Sequence, residues 1–508
     1  MTSSKSRTPL YEALRRHRAA KPRSYHVPGH SQGRAYTGQD EAMDYAAILS
    51  LDVTELSDTD DLHQPEGVIL EAQQLAAATF GSEESCFLVG GSTAGNLALI
   101  LAHLRRGDIL IVQRNVHKSV IHGLQLAQAS AVFVDPHVDP ATGLALTPSL
   151  AALREALQSY PQAKAVLLSN PSYYGLGVQL TPYVEVVHSY GLPLLVDEAH
   201  GAHFGLHPEL PDSALQAGAD AVVQSTHKTL TAMTMGAMLH MQGDRIDRAA
   251  IRQMLQLIQS SSPSYPIMAS LDIARAMIDR EGSTLFESAL AAADQFRRRL
   301  PIETGFETAD RIHHTAQDAR IGAPDIYHDP LRVTIRDRTG RLSGYALKSS
   351  LEARGCWAEM ADAMYVVLLF GVGTRDEDIE ALLAALQQIG EEDAADQEFS
   401  EAAAATYVAE DSHALAPLAA GHSEPVAFDL HTARGRASET VELSNAEGRI
   451  AAEMIIPYPP GIPLVYAGER LSSAALEQLQ QLALLGARCQ GAADPSLRTI
   501  RVWTTKTV

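Results

Sequence analysis

Cysteine is scarce in this chain: Cys86, Cys356 and Cys489 are the three in 508 residues. An odd number so widely spaced supports neither a disulfide framework nor a Cys-rich metal site, and it fits a reducing compartment. There is also no uninterrupted apolar run of about 18 residues, the length that a membrane-spanning helix needs. The opening residues Met1-Thr2-Ser3-Ser4-Lys5 lack the apolar core of a secretory signal. A soluble, cytoplasmic protein is the expectation. Positive charge is in deficit, with 40 Lys and Arg against 61 Asp and Glu and a net charge of −21. That balance argues against nucleic acid or an anionic membrane as the main partner. Lysine nearly vanishes from the middle of the chain, where Lys228 is the one lysine between Lys164 and Lys348.

What is present is ordinary globular composition, 46% hydrophobic and 20% charged, in a chain long enough for several domains. From residue 109, short continuous apolar runs alternate with helical patterns. The spacing predicts strands at Ile109–Val112, Ala131–Val134, Ala165–Ser169, Leu192–Asp197 and Ala219–Gln224, with helices such as Ser149–Ser159 and Pro182–Tyr190 between them. This is the signature of a mainly parallel sheet covered on both faces. Helical spacing over 68–80 leads through an apolar strand, Cys86–Val89, into Gly90-Gly91-Ser92-Thr93-Ala94-Gly95-Asn96 and a further helix. A glycine-rich turn at a helix N-terminus is a ready phosphate site, although this one is neither Walker A nor a full G-x-G-x-x-G. A second, smaller α/β unit is expected from Leu331–Ile335, Gly344–Arg354, Tyr365–Phe370 and Glu377–Ile389.

In such sheets chemistry gathers at the C-terminal ends of the strands. Those ends carry Asn115, His117, Lys118 and Ser119; then Asn170 with Tyr173 and Tyr174; then Asp197, His200 and His203; then Ser225, Thr226, His227 and Lys228. A lysine at the end of a buried strand is costly unless it is neutralised or used covalently, and desolvation lowers its pKa. Against this stands the surface lysine, the more common fate of a lone lysine. His200 and His203 suggest a metal only weakly, since a loop pair has no third ligand.

Taken in order, these endings resemble fold-type I pyridoxal-phosphate enzymes, and more narrowly the Orn/Lys/Arg decarboxylase family in its short bacterial form. The resemblance rests on Arg114-Asn-Val-His-Lys-Ser119, Val196-Asp-Glu-Ala-His-Gly-Ala-His203, Ser225-Thr-His-Lys228 and Pro457-Tyr-Pro-Pro-Gly-Ile-Pro463. It rests also on His26-Val-Pro-Gly-His30 and Asp60-Asp-Leu-His63. It implies five parts: an N-terminal segment (1–66), a large cofactor-binding α/β domain (67–300), a small α/β domain (301–390), an acidic, Ala-rich linker (391–424) and a C-terminal α+β domain (425–508). Lys228 would form the Schiff base with pyridoxal 5'-phosphate, Asp197 would face the pyridine nitrogen and His117 would stack on the ring. His200 would line the ring or the substrate carboxylate. Gly91, Ser92, Thr93 and Ala94, with Ser225 and His227, would hold the phosphate. A hydroxyl from Ser260–Ser264 would reach a neighbouring subunit's phosphate in a homodimer with shared active sites. Glu442, Glu453 and Tyr458 would approach the substrate. No metal is implied. The activity implied is decarboxylation of arginine, lysine or ornithine. The alternatives are an aminotransferase or aldolase on the same fold, with Arg332 or Arg336 fixing a carboxylate, and a non-catalytic regulator, against which Lys228 and Asp197 both speak.

Overall fold

The structure, a computed structural model, describes residues 4–36, 40–139, 142–309, 325–399, 421–428, 436–457, 463–484 and 488–504. The chain forms two compact units. One comprises Met1–Leu104, Lys164–Asn170 and Leu180–Leu285, the other Arg105–Ala163, Pro171–Gln179 and Phe286–Val508. Eight of the described strands are β1 (Glu84–Leu88), β2 (Ile109–Gln113), β3 (Ser130–Val134), β4 (Ala165–Ser169), β5 (Leu176–Val178), β6 (Leu194–Asp197), β7 (Ala221–Gln224) and β8 (Ala237–Met241).

In the first unit β4, β6 and β7 run parallel, β8 is antiparallel to β7, and β1 is antiparallel to β8. The apolar runs in β4, β6 and β7 are buried along their length, which is why they read as continuous rather than alternating. The sequence reading omits β8, although Ala237-Met-Leu-His-Met241 is an apolar run bounded by Gly236 and Gly243. The Val68–Phe80 helix lies where helical spacing puts it, and it stops at Gly81, whose left-handed backbone closes the last turn. Its start is tied down by Asp60, which accepts from the N–H groups of Gly67 (2.8 Å) and Ile69 (2.9 Å). Burial works against the Asp60 charge, but the N–H groups of Glu66, Asp61, Gly67 and Ile69 hold its pKa below the usual carboxylate value. The polar stretch Asp58–Gly67 is thus wound around its own carboxylate.

The N-terminal helix Pro9–Ala19 begins with Pro at its first position. The Thr8 side chain makes no cap; instead Glu12 reaches back to the Thr8 N–H at 3.1 Å. A fully buried ion pair fastens this helix. Asp272 accepts from the N–H groups of Leu10 and Tyr11 at 3.0 and 3.3 Å, and Arg275 meets Asp272 at 2.6 Å while donating to the Lys5 and Arg7 carbonyls.

In the second unit β2 and β3 are parallel, and Val426–Ala427 lies antiparallel to β3. Strands Phe306–Thr308, Arg332–Asp337, Val366–Leu369 and Met360–Ala361 form an antiparallel sheet. Its core takes in Phe296, Leu300, Leu347, Leu351, Leu383 and Leu386. The Asp376–Phe399 helix runs past Gly390, where a linker is expected, because the Glu/Asp/Ala residues that follow are adequate helix formers and a single glycine costs only ~1 kcal/mol. The rest of the expected linker up to residue 420 lies outside the described residues. Farther on, Ser438–Glu442 pairs with Thr499–Trp503 beside the Ser473–Leu484 helix, over a core that includes Leu443, Ile455, Leu479 and Ile500. Among the described residues, no helix is long and apolar enough to cross a membrane, and no group of three His, Cys, Asp or Glu is placed to hold a metal ion.

Arg275→Met leaves Asp272 buried without its cation and should lower unfolding free energy by about 3–5 kcal/mol, read from denaturant midpoints. A Cβ at Gly344 would collide with the Tyr365 and Asp362 carbonyl oxygens, which are backbone and cannot turn aside. Gly344→Ala should cost ~1–3 kcal/mol, read in the same way.

Candidate active site

The first unit builds its polar centre where β1, β6 and β7 end. After β1 the chain turns through Gly90 and Gly91. Gly91 has φ +69°, a backbone that only glycine adopts freely, and its N–H donates to the Met235 carbonyl at 3.0 Å. The Gly91–His103 helix follows, with Ser92, Thr93 and Ala94 in its first turn. Its approach to the sheet is set by Gly95, where a Cβ would come within 2.9 Å of Leu88 and Val223. The Ser92 hydroxyl lies 2.6 Å from the Ser225 hydroxyl, stitching this turn to the end of β7. The N–H groups of the first helical turn and the positive end of the helix dipole therefore sit beside two hydroxyl groups, the donor set that suits a phosphate.

Asp197, the last residue of β6, is buried. Its Oδ2 accepts from Asn96 Nδ2 at 2.8 Å and its Oδ1 from the Ala199 N–H at 3.2 Å. Asn96 comes from the second turn of the glycine-started helix, so one helix supplies both the phosphate-type turn and a partner for the carboxylate. Lys228 is not on the strand itself: β7 stops at Gln224, and Lys228 lies in the short helical turn Thr226–Thr229. Its Nζ is 3.0 Å from Nε2 of the buried His200. The backbone N–H and ring Nδ1 of His227 both meet the Gly236 carbonyl, at 3.1 and 2.9 Å.

Of the residues expected at a site, Ser92 and Ser225 meet directly, as do Lys228 and His200. Asp197 is joined to them through Asn96 and the ends of β6 and β7. Asn96 is the residue that sequence reasoning missed. Its signal was its place four residues after Ser92, on the same helix face. Glu198 and Gln224 were also passed over. Both are fully or almost fully buried polar side chains next to named site residues, at 0% and 1% exposure.

The other expected residues have local partners. In the second unit His117 caps the Lys118–Ala127 helix, its Nδ1 accepting from the Ser119 N–H at 3.2 Å. Three residues earlier, the Arg114 guanidinium lies over the rings of Phe133 and Tyr466, 5.6 Å from each, and pairs with Glu469. Tyr466 donates its hydroxyl proton to the Arg114 carbonyl. Burial works against the Arg114 charge, yet Glu469 holds its pKa above the ordinary value. Arg332 is buried with Nη1 on the Tyr173 carbonyl at 3.0 Å, and Arg336 pairs with Glu307. Glu453 is taken up by the backbone, accepting from the N–H groups of Ala493 and Arg501 at 2.7 and 2.8 Å, while Glu442 is exposed and Tyr458 lies outside the described residues. In the first unit Ser264 caps the Tyr265–Glu281 helix, the Ser260 carbonyl accepts from His63, and His30 meets Asp52 at 3.1 Å.

Residues 8–378 match the model of the Orn/Lys/Arg decarboxylase major domain, and residues 409–491 match that of the family's C-terminal domain. The chain is 42% identical to the uncharacterized protein YaaO of Bacillus subtilis (strain 168), over 95% of this chain and 96% of that one. It is 33% identical to an arginine decarboxylase of the same strain, over 98% of each. Among solved structures, the Francisella novicida lysine decarboxylase LdcF superposes with TM-score 0.79 at 21% identity, covering 98% of this chain and 81% of that one, a likeness of fold. The mainly parallel α/β architecture is thus that of fold-type I enzymes, and the chain belongs to the Orn/Lys/Arg decarboxylase family.

Proposed function

We propose that the protein removes the α-carboxyl group of a basic amino acid, using pyridoxal 5'-phosphate, to give the amine and CO2. The observation that carries this reading is that one unit holds both a buried carboxylate, at the end of β6, and a lysine amine, in the turn just after the adjacent parallel strand β7. The donor set fits the cofactor part by part. The Gly91 turn with Ser92, Thr93, Ala94 and Ser225 offers N–H and O–H donors for the phosphate. The buried Asp197 offers a negative charge for the ring nitrogen, and Lys228 offers an amine for the aldehyde. When bound, the cofactor supplies an electron sink for the pair released as the Cα–carboxyl bond breaks.

The chain's own residues do the rest. Asn96 and the Ala199 N–H hold both oxygens of Asp197, so the carboxylate is oriented before the ligand arrives. His200 Nε2 and Lys228 Nζ are close enough to share a proton, and in this reading one of the two returns a proton to Cα after CO2 leaves. His227, turned onto the Gly236 carbonyl, fixes the loop behind Lys228. His117 enters the set on the family resemblance alone. Of arginine, lysine and ornithine, arginine is favoured, because the curated relatives matched end to end at 30–33% identity bear the name arginine decarboxylase. A homodimer with shared active sites belongs to the same proposal.

Assays of CO2 and amine with arginine, lysine and ornithine test the reading. Stoichiometric CO2 and agmatine from arginine are the expected result, whereas ketoacid-dependent amino transfer without CO2 would sink it. Lys228→Ala should lose the visible absorbance band of the bound cofactor and cut turnover by at least ~100-fold. Asp197→Asn should keep the band and lower kcat by a similar factor, measured at saturating substrate.

A further inference from the structure

Four neighbouring strands, β1, β8, β7 and β6, are joined by one line of buried side chains. Ser85 on β1 meets His240 Nδ1 at 2.7 Å, and His240 Nε2 on β8 meets Gln224 Oε1 at 3.1 Å. Gln224 Nε2, at the end of β7, meets Glu198 Oε2 at 2.7 Å, and Glu198 Oε1 accepts from the Ala214 N–H at 2.8 Å. At the outer end Ser85 meets the half-buried Ser82 at 3.0 Å, and Ser82 donates to the Glu84 carbonyl at 3.1 Å. Strand register places these residues on one face of the sheet: Ser85 pairs with His240, His240 with Val222, and Val222 with Val196. Asp197 and Val223 are on the opposite face, against the Gly91–His103 helix. Two consecutive acids therefore point to opposite sides of one strand end.

The groups around Glu198 offer dipoles and no permanent positive charge. The titratable residues on the segments packed near it are Asp197 beside it; His200, His203 and His207 in the turn that follows, with the exposed Glu209 and Asp212; Tyr183, Glu185 and His188 on the Thr181–Ser189 helix against β6; His240, reached through Gln224; and Lys228, whose amine meets His200. None of the stretches 197–218, 221–224 and 237–241 contains Lys or Arg. An ionised carboxylate there would be a buried charge without a counterion, at high cost. The chain of side chains has a second orientation at no loss of hydrogen bonds, because an amide can be turned end for end and an imidazole has two tautomers.

We propose that Glu198 is a positioning residue held as a neutral carboxylic acid, leaving Asp197 as the single negative charge at this strand end. In this state Glu198 donates its proton to Gln224 Oε1, the Gln224 amide donates to His240 Nε2, His240 Nδ1–H donates to Ser85, and Ser85 donates to Ser82. Ionising Glu198 reverses every donor in the line and sets a second negative charge behind Asp197. Burial pushes the Glu198 carboxyl up to about 8, with Asp197 adding to the rise, while burial pushes His240 down to about 3 and keeps it neutral. The state of Glu198 rests on its full burial without a cation at hand, with the Gln224 amide turned so that its oxygen faces the acid. Its consequence for a bound cofactor rests on the function proposed above.

The test compares the cofactor-saturated full-length protein with its Glu198→Gln variant from pH 5 to 9. Glutamine reproduces the neutral acid, since its carbonyl accepts from Ala214 and its NH2 donates to Gln224. In the wild type the unfolded carboxyl ionises near pH 4.5 while the folded one stays protonated to about pH 8. The unfolded state then binds fewer protons across that window, so wild-type stability falls as pH rises. Glu198→Gln has no such loss. Its Tm should gain on the wild type by on the order of 5 °C between pH 5 and 8 and then level off. The visible spectra of the two should coincide below pH 7 and diverge above about pH 8. Parallel Tm curves, or a Glu198→Gln protein that does not fold, would overturn the neutral acid. Failure to bind pyridoxal phosphate would overturn the functional reading and leave the Tm comparison standing.

Discussion

The cost of burying charge governs the active-site unit. A parallel sheet covered on both faces leaves little water at its strand ends, and the chain places Asp197 and Glu198 there in succession. The two are handled differently. Asp197 faces the Gly91–His103 helix, where Asn96 and a backbone N–H meet its oxygens. Glu198 faces a run of neutral dipoles. Alternation along a strand is enough to give adjacent, chemically similar side chains opposite electrostatic surroundings. The site thus depends less on any one residue type than on which face of β6 each acid occupies.

Much of this architecture was legible because buried strands leave a plain trace. Continuous apolar runs marked β2, β3, β4, β6 and β7, and the polar residues after them marked the site. Lys228 stood out because lysine is otherwise missing from that stretch. The Lys228–His200 contact lies between residues 28 apart and the Ser92–Ser225 contact between residues 133 apart, and no local pattern predicts either. The family resemblance supplied the grouping, and the folded chain shows the contacts.

What stayed hidden shares one cause: partners chosen across strands or between distant segments. Gln224 read as an ordinary strand residue, and His240 lies in a strand that the sequence reading omits, until register puts them in line. Nothing in the ten-residue polar stretch around Asp60 reveals that it folds back on one carboxylate. Glu453, expected near substrate, serves two backbone N–H groups instead. Carboxylates are cheap markers in a sequence, but whether one caps a backbone or faces a ligand is decided by geometry.

The Arg114 clamp bears on how the protein is made. Phe133, on β3, stacks at 4.4 Å against Tyr466, and the Tyr466 hydroxyl reaches a carbonyl 352 residues earlier in the chain. A ribosome releases β3 long before the residues that cover it. Until nearly the whole chain has emerged, the nascent β3 presents an uncovered aromatic face and an arginine without its acid. Loss of the last tenth of the chain would therefore leave the earlier part unfinished, with the properties of a folding intermediate in the cell.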